Sequence, residues 1–425
     1  MTTRTALVLS LTLSQCLSLS AVAAAGDDDC PIEFLSSCPR WEVVESAAVP
    51  TSRDGSPSEF RARDIDDQGV NVGVMRDTVT STMTAAVWRP GEPVTELPMP
   101  DGTTTSQAAG IDGQGRIAGD LRLSPGGGLA RPLAWILDGE DLTLISPPPG
   151  ASDIQVVGMD IDGTIAGQSQ GPSVGMFRWN AGRFTLIVPE SPLELFFPSG
   201  ISDDGIIFGS TLDLATGRLM PMYAAGNEPT LLPLPAGRTS GFVTDCPSAE
   251  FIGGYTQLAR GAPSQPLFWR DTEASPIAPP PNRPGSWRVR AIDDDGVVLV
   301  QGGSDGNFPT WAVVDGRSVA PLQDLCDGFP IDSTDFLVWY ARAEVLVGTA
   351  VDPGTGITTV YRAVRRPGTA GDVDCDGFVG FGDVLNVLGS WSCTGERRAD
   401  LNTDGAVDLA DLQVILSNWG PPNGG

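Results

Sequence analysis

Two acidic loops near the C-terminus repeat each other at an offset of 28 residues, from Asp372 to Asp400. Each loop has oxygen-bearing side chains at positions 1, 3, 5 and 12 and a glycine at position 6. Ca²⁺ prefers about six to eight oxygen ligands, and the glycine allows the sharp turn that presents the next carbonyl. One acidic turn can imitate this pattern, but two copies that agree at every ligand position predict two Ca²⁺ ions. The predicted ligands are Asp372, Asp374, Asp376, the Phe378 carbonyl and Asp383 in the first loop, and Asp400, Asn402, Asp404, the Ala406 carbonyl and Asp411 in the second.

The duplication continues after each loop, where apolar residues recur at helical spacing and Trp391 is matched by Trp419. The pattern predicts two related short helices that bury their apolar stripes against each other. Residues 367–370 form a linker before the first loop, and neither loop has an entering helix of its own. Residues 421–425 form a tail. The stripe of the first copy comprises Val384, Leu385, Val387 and Leu388.

Loop followed by helix, twice within residues 371–420, resembles a type I dockerin, the EF-hand-like docking module of secreted polysaccharide-degrading systems. The resemblance implies calcium-dependent folding and attachment to a cohesin-like or other extracellular protein partner. Cohesin-binding dockerins commonly carry Ser-Thr at loop positions 10 and 11. This chain has Phe381-Gly382 and Leu409-Ala410 there, so a standard cohesin partner does not carry over.

Composition excludes several kinds of catalysis. The chain contains no His, and all 26 of its basic residues are Arg. Without His there is no Ser-His-Asp or Cys-His machinery and no imidazole metal ligand. Without Lys there is no Schiff base and no phosphate-loop lysine. Carboxylate pairs, Tyr, Arg, thiols and calcium-assisted chemistry remain available.

The net charge limits the possible partners, and the N-terminus indicates the location of the protein. A formal net charge of −27 repels phosphate backbones and anionic membranes, so we expect no nucleic-acid partner and no acidic polymer as substrate. Residues 1–25 read as a signal peptide, with a short apolar run and Ala23-Ala24-Ala25 before the cleavage point. No other apolar run is long enough for a membrane span. The sequence therefore predicts a secreted or cell-surface protein, with residues 26–40 as an N-terminal segment.

Six cysteines follow the signal peptide, and an even count in an exported chain suggests disulfides. Cys375 lies in the first calcium loop and Cys393 just after the first helix, so a bridge between them would tie loop to helix. Cys30–Cys38 and Cys246–Cys326 are the further pairings that we consider; unpaired small apolar side chains are the alternative for all of them.

Residues 41–366 repeat weakly with a period near 45. A turn rich in Asp and ending in Gly recurs, as in Ile111-Asp112-Gly113-Gln114-Gly115, and an aromatic residue closes one strand of each unit. Regular spacing of short strands is typical of β-propellers, so the fold class predicted is an all-β, seven-bladed β-propeller followed by a small α-helical domain. The recurring aromatics are Trp88, Trp135, Trp179, Tyr223, Trp269, Trp311 and Tyr361.

Each unit has room for four strands, which in the second unit are expected at 105–111, 116–123, 129–137 and 141–145. The segment from Trp41 to Glu45 has no unit of its own, and the last unit lacks an outer strand after Tyr361. We therefore expect residues 41–45 to pair beside the strand that ends at Tyr361 and close the ring. The pattern resembles the bacterial extracellular HAF repeats, although the His of that motif is absent.

The recurring groups have ordinary structural explanations. Asp at a turn start bonds its own backbone, and a Trp once per blade usually packs between blades. Trp287, Trp339 and Phe196-Phe197 break the repeat and are better candidates for ligand contact. No catalytic pair is recognisable. The predicted function is a non-catalytic binding or scaffold protein; the alternative is a dockerin-bearing hydrolase or lyase acting on polysaccharide.

Overall fold

The structure is a computed structural model in which most of the chain after residue 39 is described. The described residues are 40–51, 56–171, 175–189, 194–258, 262–270, 272–279, 285–292, 297–303, 310–314, 317–322, 326–327, 337–342, 345–351, 357–366, 369–373, 378–392, 399–402 and 404–420. The predicted signal peptide and the cysteines at positions 30 and 38 lie outside them.

Six sheets, here called blades I to VI, each consist of four antiparallel strands that follow one another in the chain. Blade I has β2 Ser58–Ile65, β3 Asn71–Asp77, β4 Met83–Trp88 and β5 Thr95–Glu96. Blade II has β6 Thr103–Ile111, β7 Ile117–Leu123, β8 Arg131–Asp138 and β9 Asp141–Ile145. Blade III has β10 Asp153–Met159, β11 Ile165–Gln170, β12 Gly175–Asn180 and β13 Arg183–Ile187.

The next three blades keep the same order. Blade IV has β14 Glu194–Ile201, β15 Ile207–Asp213, β16 Arg218–Ala224 and β17 Thr230–Leu231. Blade V has β18 Ser240–Asp245, β19 Phe251–Gln257, β20 Gln265–Arg270 and β21 Glu273–Pro276. Blade VI has β22 Ser286–Ile292, β23 Val298–Gly303, β24 Thr310–Val314 and β25 Arg317–Pro321. The strands expected for the second unit all form, with bounds within two residues of those predicted.

The remaining sheet, here called the closing sheet, joins the two ends of the propeller region. Its strands are β1 Arg40–Ala48, β26 Cys326–Asp327, β27 Leu337–Arg342, β28 Val345–Val351 and β29 Thr358–Arg366. The N-terminal β1 pairs antiparallel with β29, with Ser46 opposite Tyr361. The expected closure is therefore confirmed. Strand β27 contacts the first strands of blades I and VI, so the closing sheet completes the ring.

The prediction of a seven-bladed propeller is wrong, because the propeller has six four-stranded blades. Six sheets are blades of that design, whereas the closing sheet has five strands in the order β26-β1-β29-β28-β27. Its fifth strand, β26, pairs parallel with β1, placing Cys326 opposite Trp41. In the closing sheet β1 takes the place of the outer strand, and β26 pairs with its outer edge.

The hydrophobic core lies between neighbouring sheets. Trp88, Trp135 and Trp269 are each at most 1% exposed and pack in three separate clusters with apolar residues from adjoining strands. In these three units the recurring aromatic therefore packs in the core, as predicted. Trp287 is also fully buried, against Val289 and its neighbours, so this candidate for ligand contact is not accessible.

The acidic turns of the blades bond their own backbone. Asp112 Oδ1 accepts the N–H groups of Gln114 and Arg116 at 2.9 and 2.8 Å, and Gly115 takes a φ of +79°. Asp66 and Asp160 accept equivalent bonds. These side chains stabilise the turn between the first two strands of a blade, as the ordinary explanation predicted.

Cys246 is a free thiol in a buried position, where its Sγ donates to the carbonyl of Ser248 at 3.2 Å. The pairing of Cys246 with Cys326 is therefore wrong. Cys375 and Cys393 lie outside the described residues, so their bridge stays a prediction.

The C-terminal region contains two helices, α1 Phe381–Gly389 and α2 Leu409–Ser417, which contact each other. A small apolar core lies around them. Within the described part of the chain, no helix is long and apolar enough to cross a bilayer. The core comprises Val373, Val379, Val387, Ala399, Val407 and Ile415.

Candidate metal centre and central channel

The second acidic loop wraps its backbone around its own side-chain oxygens. Asp400 Oδ1 accepts the N–H of Asp404 at 3.1 Å, and Oδ2 accepts that of Gly405 at 2.8 Å. Asp404 Oδ1 in turn accepts the N–H of Ala406 at 3.0 Å. Gly405 has a φ of +89°, which is the turn predicted from its position in the loop. The predicted ligands at positions 1, 3 and 5 thus lie in one tight turn.

Asp411, the predicted ligand at position 12, joins the start of α2 to the start of the loop. It is fully buried, and its Oδ1 accepts the N–H of Leu401 at 2.6 Å while Oδ2 accepts that of Asp408 at 2.8 Å. In the first copy Asp383 plays the same part, accepting the N–H groups of Val373 and Gly380. Each helix is therefore anchored to its loop by one buried carboxylate.

The first loop is described only at its two ends. Asp372 is 3% exposed, and Phe378, whose carbonyl is a predicted ligand, has a half-exposed side chain. Asp374 and Asp376 lie outside the described residues.

The donor set of the second loop fits Ca²⁺ in chemical type. Asp400, Asn402, Asp404, Asp411 and the Ala406 carbonyl supply oxygen only, and a carboxylate oxygen that accepts one N–H still has a lone pair to offer. In arrangement, however, the carboxylates face backbone amides. Among the described residues no three His, Cys, Asp or Glu side chains are grouped for metal binding.

The apolar stripes of the two helices are buried only in part. Val387 and Ile415 are fully buried, but Leu385 and Leu388 are 54% and 49% exposed, so the prediction that the whole stripe packs between the helices is wrong for these two. Nine-residue helices can turn only about one side chain per turn toward each other. Val384 packs at the edge of the small apolar core, whereas Leu385 and Leu388 face outward.

Large apolar side chains are exposed at matching positions in both copies. Phe381 and Leu409 are 67% and 57% exposed, and Trp391 and Trp419 are 41% and 51% exposed. We call the whole group the exposed apolar set. Its members are Phe378, Phe381, Leu385, Leu388, Trp391, Leu409, Leu416 and Trp419.

A central cavity of about 220 Å³ lies where the first strands of all six blades meet. Each of these strands has a register shift at the same place, which leaves one residue unpaired with the next strand. Bulges of this kind re-aim side chains. All six unpaired residues line the cavity: Arg63, Ala109, Val157, Ser199, Thr244 and Arg290. Trp339 has the corresponding position in β27, but its side chain lies outside the described part.

Sequence reasoning missed these channel residues, although a signal was present. Each stands two positions before the residue that opens the turn between the first two strands, for example Arg63 before Ile65 and Arg290 before Ile292. Aligning the units on that turn would have placed two arginines in register with small or aliphatic residues. The bulge that directs them inward, however, is visible only in the pairing of strands.

Similarity to known proteins is found among solved structures. No protein-family profile matches the chain, and no curated protein sequence matches it. Among solved structures, it is similar to the β-propeller domain of the Trilobed protease from Pyrococcus furiosus, with a TM-score of 0.48 and 9% identity over 73% of this chain and 98% of that one. It is also similar to a puromycin-hydrolyzing peptidase of Mycobacterium tuberculosis, with a TM-score of 0.45 and 12% identity over 76% of this chain and 55% of that one.

Proposed function

We propose that this protein is an exported, non-catalytic binding or scaffold protein. The propeller recognises a ligand, and residues 371–420 attach the protein to an extracellular partner in a calcium-dependent way. The observation that carries the attachment is the exposed apolar set, because soluble proteins rarely leave many large apolar side chains in water at one small module. When a partner covers such side chains, the free energy of binding becomes more favourable by about 25 cal/mol per Å² of apolar surface removed from water.

Calcium is proposed as the ion that organises both loops. Residues 371–425 contain nine carboxylates and two arginines, so the loops repel one another electrostatically until a cation neutralises them. Asp411 and Asp383 connect each loop to its helix, and a cation held by the loop would therefore also fix the helix. Metal binding and folding of the module are then coupled.

The partner that fits is an extracellular protein domain with an apolar patch inside a basic rim, such as a cohesin-like domain. The duplicated positions offer it two equivalent ways of docking, since Phe381 and Leu409 are both exposed. The acidic loops beside them favour basic groups at its edge.

Surface plasmon resonance of the full chain against a panel of extracellular protein domains, cohesin-like domains among them, tests this proposal. We expect binding in calcium that is lost in chelator and weakened at least roughly ten-fold in the double variant Phe381→Asp, Leu409→Asp. Leu129→Asp is the matched control, because Leu129 is 95% exposed on the propeller. Binding that the double variant leaves unchanged would remove the docking role.

Two further measurements separate the remaining outcomes. Sedimentation of the full chain in calcium detects a second copy as the occupant of the exposed apolar set, which would contradict a heterologous partner. Incubation with a polysaccharide panel, followed for both binding and product release, addresses the propeller. Release of sugar products would overturn the non-catalytic assignment.

A further inference from the structure

A second cavity, of about 520 Å³ and here called the side groove, lies between blades I and II. It shares no described lining residue with the central cavity. Its wall is formed around the turn between β3 and β4, along the connection from β5 to β6, and by the first residues of β2 and β6. The volume lies in the range of roughly 300–1,000 Å³ that is typical of small-molecule sites.

Hydroxyl groups dominate the wall of the side groove, where nearly half of the described residues are Ser or Thr. Thr103 Oγ1 donates to the carbonyl of Pro100 at 2.7 Å, and its oxygen keeps lone pairs that can accept. Ser106 Oγ instead accepts the N–H of Ala85 at 2.9 Å, which leaves its own O–H to donate. The wall therefore offers both donors and acceptors to a ligand.

Ser58 supplies a hydroxyl that the fold does not use. It is the first residue of β2, opposite Asp77 on β3, and it lines the side groove while being only 3% exposed. Its Oγ has no hydrogen-bond partner within the described part of the chain. A buried hydroxyl without a partner is unfavourable, and most buried hydroxyls in proteins have one. A ligand hydroxyl that reaches the bottom of the groove would supply the missing bond.

Apolar side chains lie among these hydroxyls. Met75, Met83 and Met99 line the groove, and the flexible thioether of Met adapts to the shape of what it contacts. Among the described residues of the wall none is basic and three are acidic, so the groove repels anions. The acidic residues are Asp77, Glu96 and Asp101.

We infer that the side groove binds a neutral saccharide. A sugar ring presents hydroxyl groups along its edge and C–H groups on its faces. The wall offers partners to both, with Ser and Thr hydroxyls for the edge and Met side chains for the faces. Its acidic residues disfavour uronic acids and sulfated sugars. The inference rests on the proposed recognition role of the propeller, and it names the class of ligand and the place where it binds.

Isothermal titration calorimetry of the full chain, in calcium and without any partner, tests the inference. The probes are cellobiose, xylobiose and mannobiose, with galacturonate as the anionic comparison and putrescine as the cationic one. We expect at least one of the neutral disaccharides to bind and galacturonate to give no signal. Binding of putrescine alone would make the ligand a cation and overturn the inference.

Ser58→Ala separates a binding role from a structural one. It should weaken disaccharide binding by roughly three- to ten-fold, because one hydrogen bond is lost. Without saccharide, urea unfolding should show a variant as stable as wild type or more stable, since the deleted hydroxyl has no partner. Ser210→Ala is the matched control, because Ser210 is 1% exposed on blade IV and donates to the carbonyl of Gly241 at 3.4 Å. It should leave binding unchanged and should not gain stability.

Thr82→Trp blocks the side groove from an exposed position of its wall. The large ring should reduce disaccharide binding at least ten-fold while the unfolding curve stays that of wild type, because Thr82 contributes no buried surface. Thr143→Trp, at an exposed position of β9, is the control and should bind as the wild type does.

Two results would overturn the inference. One is a wild-type protein that binds none of the three disaccharides. The other is disaccharide binding that Ser58→Ala and Thr82→Trp both leave unchanged, which would place the sugar elsewhere on the propeller and leave the recognition role standing. Docking through the C-terminal module is measured separately, so either proposal can fail alone.

Discussion

The carboxylate of Asp64 in blade I accepts a hydrogen bond from the backbone amide of Ile111 in blade II, at 2.9 Å, across a boundary between two sheets. Its other oxygen accepts the amide of Ile65 in its own blade. The same arrangement recurs between Asp245 of blade V and Ile292 of blade VI. Neighbouring blades are thus joined by a buried polar bond as well as by apolar packing.

Replacing Asp64 by Ala should destabilise the propeller by about 2–4 kcal/mol, because two buried amides would lose their acceptor. Urea unfolding followed by Trp fluorescence measures the change. Asp67→Ala is the control, since Asp67 is exposed in the following turn. Equal stability of the two variants would show that the bond between blades contributes little.

Closure of the ring should depend on an ion pair between its two ends. Arg362 on β29 binds Glu45 on β1 at 2.6 Å, with both side chains 17% exposed, and also donates to the carbonyl of Gly69 in blade I. Glu45→Gln should cost about 1–3 kcal/mol because it weakens a largely buried charged pair. A double-mutant cycle with Arg362→Gln, read by urea unfolding, isolates the pair, and a coupling energy near zero would contradict this prediction.

Stability should decrease as the pH rises through the range set by Asp120. Burial raises the pKa of this carboxyl to about 6, despite the bonds that it accepts from Gln107 and Val156. The folded state therefore keeps a proton that the unfolded state loses near pH 4, and the associated stability is lost between about pH 4 and pH 6. The loss should be at most about 3 kcal/mol.

Asp120→Asn should remove that pH dependence, because the amide stays neutral throughout. The measurement is Tm at half-unit steps from pH 4 to pH 8 for wild type and variant. Asp138→Asn, at the exposed end of β8, should keep the wild-type profile. Parallel curves for wild type and Asp120→Asn would refute the assignment.

Cys246 should remain unreactive in the folded protein. It is 1% exposed, and burial, together with Asp245 and Asp204, raises the pKa of its thiol. The reactive thiolate is therefore scarce. Iodoacetamide should modify Cys246 only after denaturation, as measured by peptide mass spectrometry. Rapid labelling of the native protein would contradict the buried free thiol. A peptide in which Cys246 is linked to Cys326 would contradict it as well.

Calcium binding should depend on the first residue of each loop. Isothermal titration of the full chain should detect two sites, and Asp400→Ala should remove one because it deletes the side chain around which the second loop turns. The same variant should alter the fluorescence of Trp391 and Trp419, which stand beyond the helices. Asp101→Ala, in an exposed turn of the propeller, is the control. Two sites in the variant would reject the assigned ligand.

Local pattern predicted much of this architecture. Turn residues and alternating apolar positions located the four strands of blade II, and the unmatched strand around Trp41 located the closure of the ring. These features depend on residues close in sequence or on simple strand pairing. A single sequence is therefore enough to predict them. The helices α1 and α2 were equally visible, because a periodic apolar stripe follows each acidic loop.

Long-range pairing decided the rest. The fifth strand of the closing sheet, β26, pairs with β1, which comes from the other end of the region. The bulges that turn Arg63 and Arg290 into the channel arise from the register between strands, and the ring alone brings these residues of blades I and VI to one cavity. Residue types were enough to predict turns, strands and oxygen-rich loops. Which side chains meet across more than 200 residues was decided by the closure of the sheet ring.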